Sequence, residues 1–319
     1  MMFEPSRFVY WQVIHQDFSL DDAAITQVVK PAVSNWCPRA EWHFLRYFDE
    51  RGPHLRLRVV PPDPDKVGDL INGLTRELED RLSALLAGAS ASDYRQTSLF
   101  DQSDVPLPLT RDSGVHLALY EPEISKYGGE DGLSKAVQIW ASSTKEALRY
   151  LSPQWKPEQR LSMAAGHCYL ATKTFFGDDT NMMRRFWTRY ALFWSGGNQE
   201  RLNQLSSDSV LSELLSSSAA AARVDSNDSE ALWPGNLAEL CDGDVNQLNH
   251  QVHLHNNRLG LPPVDEAPLA VLVLLLLRAH VSGAFERETL FKPEGTRWQG
   301  LKLPTSQLFV SWCRSAGAS

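Results

Sequence analysis

Ionisable and aliphatic side chains alternate along Pro53-His54-Leu55-Arg56-Leu57-Arg58-Val59-Val60. In an extended strand, successive side chains point to opposite faces. The pattern predicts a strand with His54, Arg56 and Arg58 on one face and Leu55, Leu57 and Val59 on the other. Upstream, the run 42–49 (Trp-His-Phe-Leu-Arg-Tyr-Phe-Asp) also reads as a strand, and Gly52-Pro53 in the connector is a turn signal. Together they predict a hairpin that ends in a cationic strand. Residues 8–14, rich in aromatic and β-branched side chains, predict a first strand, and 115–120 a last one. Between them, Ser19 is a candidate N-cap, with Asp21 and Asp22 in the first turn of a helix that should end before Pro31. The spacing of Leu70, Ile71, Leu74, Leu78, Leu82, Leu85 and Leu86 predicts a second helix over 65–86. The order β-α-β-β-α-β is that of a ferredoxin-like, split β-α-β sheet unit.

After Gly129 the periodicity becomes helical, over 135–151, 157–175, 180–194, 199–215, 237–255 and 268–280. The stretch 216–230 is rich in Ser, Ala and Asp and reads as a loop, and 282–319 carries little pattern. The expectation is an α+β fold. Its sheet unit spans 1–132, a mainly helical region spans 133–319, and the two form one compact unit.

Composition narrows the function. The chain has 319 residues, 43% of them hydrophobic and 22% charged, with a formal net charge of -8. Such a chain has no bulk attraction to nucleic acid, although a local basic pocket is compatible with it. Cys37, Cys168, Cys241 and Cys313 form no Cys-x-x-Cys pair, so neither a zinc site nor a disulfide framework is expected. The N-terminus lacks the layout of a signal peptide. The strongest apolar run, Leu269 to Leu277, is closed by Arg278 and is shorter than the ~20 residues of a membrane span, which makes it a core helix. A cytoplasmic location is the simplest expectation.

Two guanidiniums about 6.6 Å apart on one strand face are costly without an anion between them. The planar fork of arginine suits a carboxylate or phosphate. The alternative is a solvated face with surface ion pairs. Arg46 lies on the opposite parity from His43 and Leu45, so it can equally face away from such a site. Tyr47 and Tyr120 read first as core aromatics, and Gly128-Gly129 as a backbone requirement for positive φ. On a helix His250 and His253 share a face and His255 does not, and no carboxylate sits at matching spacing, so no metal is expected. Asn257-Arg258 can cap a helix end. Phosphate-loop, nucleophile-elbow and reactive-cysteine signatures are absent, so no cofactor is expected.

Four segments, in order, are Arg46-Tyr47, Gly52-Pro53-His54-Leu55-Arg56-Leu57-Arg58, the run from Tyr120 through Glu123 and Lys126 to Tyr127-Gly128-Gly129, and His253 with Asn257-Arg258. In order and spacing this series resembles the C-terminal elimination domain of class I lanthipeptide dehydratases, a family that includes stand-alone proteins of thiopeptide biosynthesis. The likeness extends over residues 8 to 262. Lys126 stands where the family usually has Arg, which keeps the charge and loses the bidentate fork.

The resemblance implies loss of glutamate from a glutamylated Ser or Thr in a ribosomally made precursor peptide, giving a dehydro residue. It makes Arg56, Arg58, Lys126 and His253 the catalytic candidates, with the arginines gripping the glutamyl group and the histidine moving protons. Arg46, His54, Tyr120 and Arg258 become substrate-binding candidates. It implies as partners a precursor peptide with its leader and a separate glutamyl-tRNA-dependent protein that loads the glutamate, since the chain is too short to hold the family's glutamylation domain. It calls for no direct nucleic-acid contact and permits a homodimer. One rival is a thiopeptide pyridine synthase, which joins two dehydroalanines in a formal [4+2] cycloaddition and expels the leader. Another is a non-catalytic subunit that binds the precursor.

Overall fold

A computed structural model describes residues 8–15, 17–49, 51–88, 96–97, 104–105, 113–151, 155–215, 217–218, 233, 235 and 237–280. Of the loop expected over 216–230, only Ser217 and Ser218 are described, and they are helical; the rest of it and the tail 282–319 lie outside the described residues.

The sheet is four-stranded and antiparallel, with strands β1 (Val9–Ile14), β2 (Trp42–Asp49), β3 (Gly52–Val59) and β4 (Gly114–Ala118). Their spatial order is β2-β3-β1-β4, the order of a split β-α-β unit. The alternation in β3 works as expected: Leu55, Leu57 and Val59 are fully buried against one helical layer. That layer is α1, which runs through Asp21–Ala23, Ala24–Val29 and Lys30–Trp36, and α2, Val67–Ala87. Helix α2 presents Leu70, Leu74, Leu78 and Leu82, an i, i+4 stripe, to the sheet. Trp11 Nε1 of β1 donates to Thr75 Oγ1 of α2 at 2.8 Å.

Pro31 does not end α1. The Ala24–Val29 turn before it is a π-helix, and Pro31 enters the final α-helical stretch in its first turn. The wide turn relieves the clash that a proline ring makes with a normal preceding turn. The cap also shifts: Asp17 accepts from the Ser19 N–H, and Ser19 itself lies inside the short turn Phe18–Leu20.

The opposite face of the sheet meets helices from the second half of the chain. Those on the sheet are α3 (Glu130–Tyr150) and α8 (Val245–Leu259); behind them lie α4 (Pro157–Phe176), α5 (Thr180–Trp194), α6 (Gln199–Ser206), α7 (Leu237–Leu240) and α9 (Glu266–His280). The helix expected over 237–255 is broken, because Asp242 and Gly243 adopt positive φ and Asp244 begins α8 as its N-cap. The helix expected over 199–215 likewise ends first at Ser206.

The apolar run Leu269 to Leu277 is the buried axis of the helical region, as expected. Each fully buried Leu contributes about 1.5–3 kcal/mol of hydrophobic transfer, before conformational entropy is set against it. Among the described residues, no helix is long and apolar enough to cross a membrane, and the cysteines Cys37, Cys168 and Cys241 are free and buried.

Candidate functional site

The seam between the sheet and helices α3 and α8 gathers unpaired cations. In register, Arg58 lies between Tyr10 of β1 and His43 of β2, and Arg56 lies between Gln12 and Leu45. The Arg56 guanidinium sits over the Tyr47 ring at 3.2 Å from its centroid. Arg58 lies between two rings, 4.9 Å from Tyr10 and 4.6 Å from Tyr120. Such contacts stabilise a desolvated cation, each by roughly 0.5–2 kcal/mol, but do not neutralise it.

Arg258 enters the seam from α8. It is fully buried, and its Nη1 donates to Ser143 Oγ at 3.2 Å and to the Leu254 carbonyl at 3.1 Å. Among the described residues no carboxylate pairs with Arg56, Arg58 or Arg258. Several buried donors lack a hydrogen-bond partner: Nε of Arg56 and of Arg58, and Nε and Nη2 of Arg258. The Nε2 of His43 and the Nε1 of Trp140 are in the same condition. Burial lowers the pKa of Arg58, and burial with the nearby Arg58 charge brings Arg258 down to about 9. Both stay cationic at neutral pH. Burial also holds the hydroxyls of Tyr120 and Tyr127 protonated, above their ordinary value. Unpaired buried charge of one sign is expensive, and an anion placed among these guanidiniums would offset that cost.

His54 closes the hairpin end of the same strand face. It is fully buried, and its Nδ1 donates to the Gly52 carbonyl at 3.0 Å. Burial lowers its pKa, outweighing Asp49 at 3.8 Å.

Lys126 stands on the turn Ile124–Tyr127, paired with Glu123 at 2.9 Å. Gly128 and Gly129 follow at positive φ, which is the backbone role read from the sequence. Gln247 of α8 donates to the Lys126 carbonyl at 2.6 Å and ties this turn to the helix.

His253 is also on α8, but five residues from Arg258 it lies about 140° around the helix. Its ring stacks on Trp194 at 4.8 Å, and its Nδ1 donates to Glu266 Oε1 at 2.9 Å. Glu266, at the start of α9, is fully buried and also accepts on Oε2 from Tyr190 Oη at 2.6 Å and Asn256 Nδ2 at 2.8 Å. This carboxylate holds the ring with Nδ1–H directed at it and Nε2 on the opposite edge. The His253 side chain is 32% exposed. His250, one turn away, bridges the two parts: its ring meets Tyr127 at 6.5 Å, and it senses the charges of Lys126 and His253.

Arg46 points to the other face of the sheet, as its parity allows. It pairs with Asp21 at 3.2 Å and Asp22 at 2.7 Å, and donates to the Arg258 carbonyl at 3.2 Å. Arg160 of α4 pairs with the same Asp22 and donates to the Leu259 carbonyl at 2.8 Å. The two arginines thus cap the C-terminus of α8.

The structure therefore brings Arg56, Arg58, Tyr120 and Arg258 together, ties the Lys126 turn to α8, turns His253 away from them towards Trp194 and Glu266, and commits Arg46 to the framework. Sequence reading did not single out His43, Tyr10, Trp140, Ser143 or Glu266. Their signal lay in register and helix packing, which neighbouring residues along the chain do not carry.

The sequence matches the family model described as lantibiotic biosynthesis dehydratase C-term over residues 9–277. No curated protein sequence matches the chain. Among solved structures, the fold is similar to TbtD, a pyridine synthase from thiomuracin biosynthesis, with a TM-score of 0.57 and 18% identity over 86% of this chain and 98% of that one. A tRNA-dependent lantibiotic dehydratase, MibB from Microbispora sp. 107891, aligns with 19% identity over 85% of this chain and 28% of its own length, at a TM-score of 0.44. The family model spans most of the chain, its residues include the arginine strand and α8, and the chain belongs to the lantibiotic biosynthesis dehydratase C-terminal family.

Proposed function

We propose that this protein eliminates glutamate from glutamylated Ser or Thr residues of a ribosomally made precursor peptide. The observation that carries the reading is the set of buried guanidiniums of Arg58 and Arg258, with Arg56 beside them, lacking any carboxylate partner among the described residues. A glutamyl ester brings a free carboxylate to such a site, and its departure creates a second one. In the reaction a base removes the α-proton of the esterified residue. The C–O bond to the glutamyl group then breaks, its electron pair leaving on the carboxylate oxygen as the C=C bond forms. Preorganised cations lower the energy of that developing charge. Arg56, Arg58 and Arg258 take that role, with Tyr120 and Lys126 at its rim and His54 holding the hairpin end. His253, held by Glu266, is the proton-moving group. Arg46 is assigned to the framework.

This reading implies a separate glutamyl-tRNA-dependent protein that loads the peptide, with no direct nucleic-acid contact by this chain. It fits a cytoplasmic protein. The second reading is a pyridine synthase, favoured by a fold likeness to TbtD that covers nearly all of that chain. Cycloaddition of two dehydroalanines has no need of a glutamate grip, so the arginine seam favours elimination.

The test is mass spectrometry of a glutamylated precursor peptide incubated with the wild type, Arg56→Ala and His253→Ala. Elimination predicts a dehydro residue with the wild type and a surviving ester with Arg56→Ala. A surviving ester with the wild type overturns the reading. Ring formation from a fully dehydrated peptide then identifies the synthase, and binding without reaction a precursor-presenting subunit.

A further inference from the structure

His43 is used by neither the arginine grip nor the His253–Glu266 pair. It sits on the edge strand β2, directly opposite Arg58 in register. Its ring packs against Trp140 of α3 at 5.0 Å between centroids, and edge-on to Phe8 at 5.6 Å. The side chain is 1% exposed, and Nε2 has no hydrogen-bond partner. Two cations face it, Arg58 from β3 and Arg258 from α8. From α3 it meets the uncharged Trp140, whose other neighbour is Tyr127 at 5.2 Å. Among the described residues no carboxylate offsets those cations at His43.

We infer that His43 takes up a proton when a carboxylate binds at Arg58 and Arg258. The inference rests on the anion-gripping reading above. Without an anion, burial and the two guanidiniums hold the imidazole neutral, well below its ordinary pKa. A bound carboxylate cancels much of that field, and the protonated ring can then present Nε2–H to the anion. The proton comes from solvent, and no bond in the ligand breaks. Linkage makes the effect reciprocal: anion binding promotes protonation, and protonation tightens anion binding. A base that acquires its proton affinity only on a loaded site stays idle while the site is bare.

The test uses the full-length protein and L-glutamate as probe, with calorimetry in two buffers of unequal ionisation enthalpy at fixed ionic strength. The expected result is net proton uptake on binding. The Kd should tighten as pH falls from about 8 to about 6, approaching tenfold per pH unit at the limit of one proton. His43→Asn and His43→Phe should still bind glutamate but lose the pH dependence, and a variant of the exposed His116 on β4, His116→Asn, should keep it. Glutamate binding by the wild type without proton uptake overturns the inference and leaves the grip standing. Unchanged uptake in both His43 variants does the same. Absence of glutamate binding by the wild type overturns both, and this outcome is read directly from the missing heat.

Discussion

The Asn257 side chain completes the edge of β2 at Arg46. The Arg46 N–H donates to Asn257 Oδ1 at 2.9 Å, and Asn257 Nδ2 donates to the Arg46 carbonyl at 3.0 Å. The amide acts as a one-residue strand, pairing a half-buried sheet edge and fixing α8 against it. Asn257→Ala leaves both backbone groups unpaired, at about 1–3 kcal/mol. Asn257→Asp keeps the acceptor, turns the donor into a second acceptor facing the Arg46 carbonyl, and should be at least as damaging. Urea unfolding of the two variants checks this, and a midpoint unchanged in Asn257→Ala would refute the edge-pairing role.

Arg58 sets function against stability. Met at that position keeps an apolar stem between the Tyr10 and Tyr120 rings and removes a buried charge that has no carboxylate partner. Arg58→Met should therefore raise stability by about 1 kcal/mol or more, because removing poorly compensated buried charge is often stabilising. Elimination should fall by about 100-fold or more, the scale of losing a preorganised charge-stabilising donor. Added glutamate should stabilise the wild type, by about 2.7 kcal/mol at a hundred times its Kd, and should not stabilise the variant. A variant that is less stable and still responds to glutamate would sink this account.

The buried histidines give the fold a mild acid sensitivity. Burial, with nearby arginines, holds His43 well below its ordinary pKa; burial, with His167 and then Arg258, does the same to His255. Burial and the Lys126 charge bring His250 down to about 4. In the unfolded chain each titrates near 6.5. Below about pH 6.5 the unfolded state therefore binds more protons than the folded one, and stability falls as pH drops towards 4. Asp21, held down by His15 and Arg46 against the opposing effect of burial, contributes stability that is present above about 3.8, so it plays no part in that window. Urea midpoints should decline from pH 7 to pH 5. A flat or rising series would contradict the assignment.

Much of this was legible in the sequence because strand alternation and helix periodicity are local. His54, Arg56 and Arg58 separate from Leu55, Leu57 and Val59 by parity alone, and the apolar run at Leu269, too short for a membrane span, reads as an interior helix. What local pattern does not carry is pairing across the chain. Pro31 continues a helix because a π turn precedes it. His43 meets Arg58 through strand register, and Glu266 meets His253 because the chain folds back after α8 and sets the first residue of α9 against it. Arg46 was ambiguous for the same reason: its parity excludes one face, but only the packing of α1 and α4 supplies Asp21, Asp22 and Arg160 around it.

The pairing of Glu266 with His253 yields the sharpest kinetic expectation. Glu266 is fully buried and satisfies donors from Tyr190, Asn256 and His253 at once. Glu266→Gln puts an amide N–H₂ where one of those donors points, so at least one contact breaks. The result should be a loss of stability of about 1–3 kcal/mol. If His253 moves the proton and Glu266 orients its ring, Glu266→Gln should lower elimination about 10–100-fold, the usual scale for a residue that orients a reacting histidine. The same step in a His253→Ala background should then cost almost nothing further, because the ring it orients is gone. Arg58→Met, by contrast, should remain costly in the Glu266→Gln background, since it acts on the anion and not on the ring. Rates for the single and double variants decide the matter: equal losses from Glu266→Gln with and without His253 would mean that the carboxylate supports the fold and does nothing through the histidine.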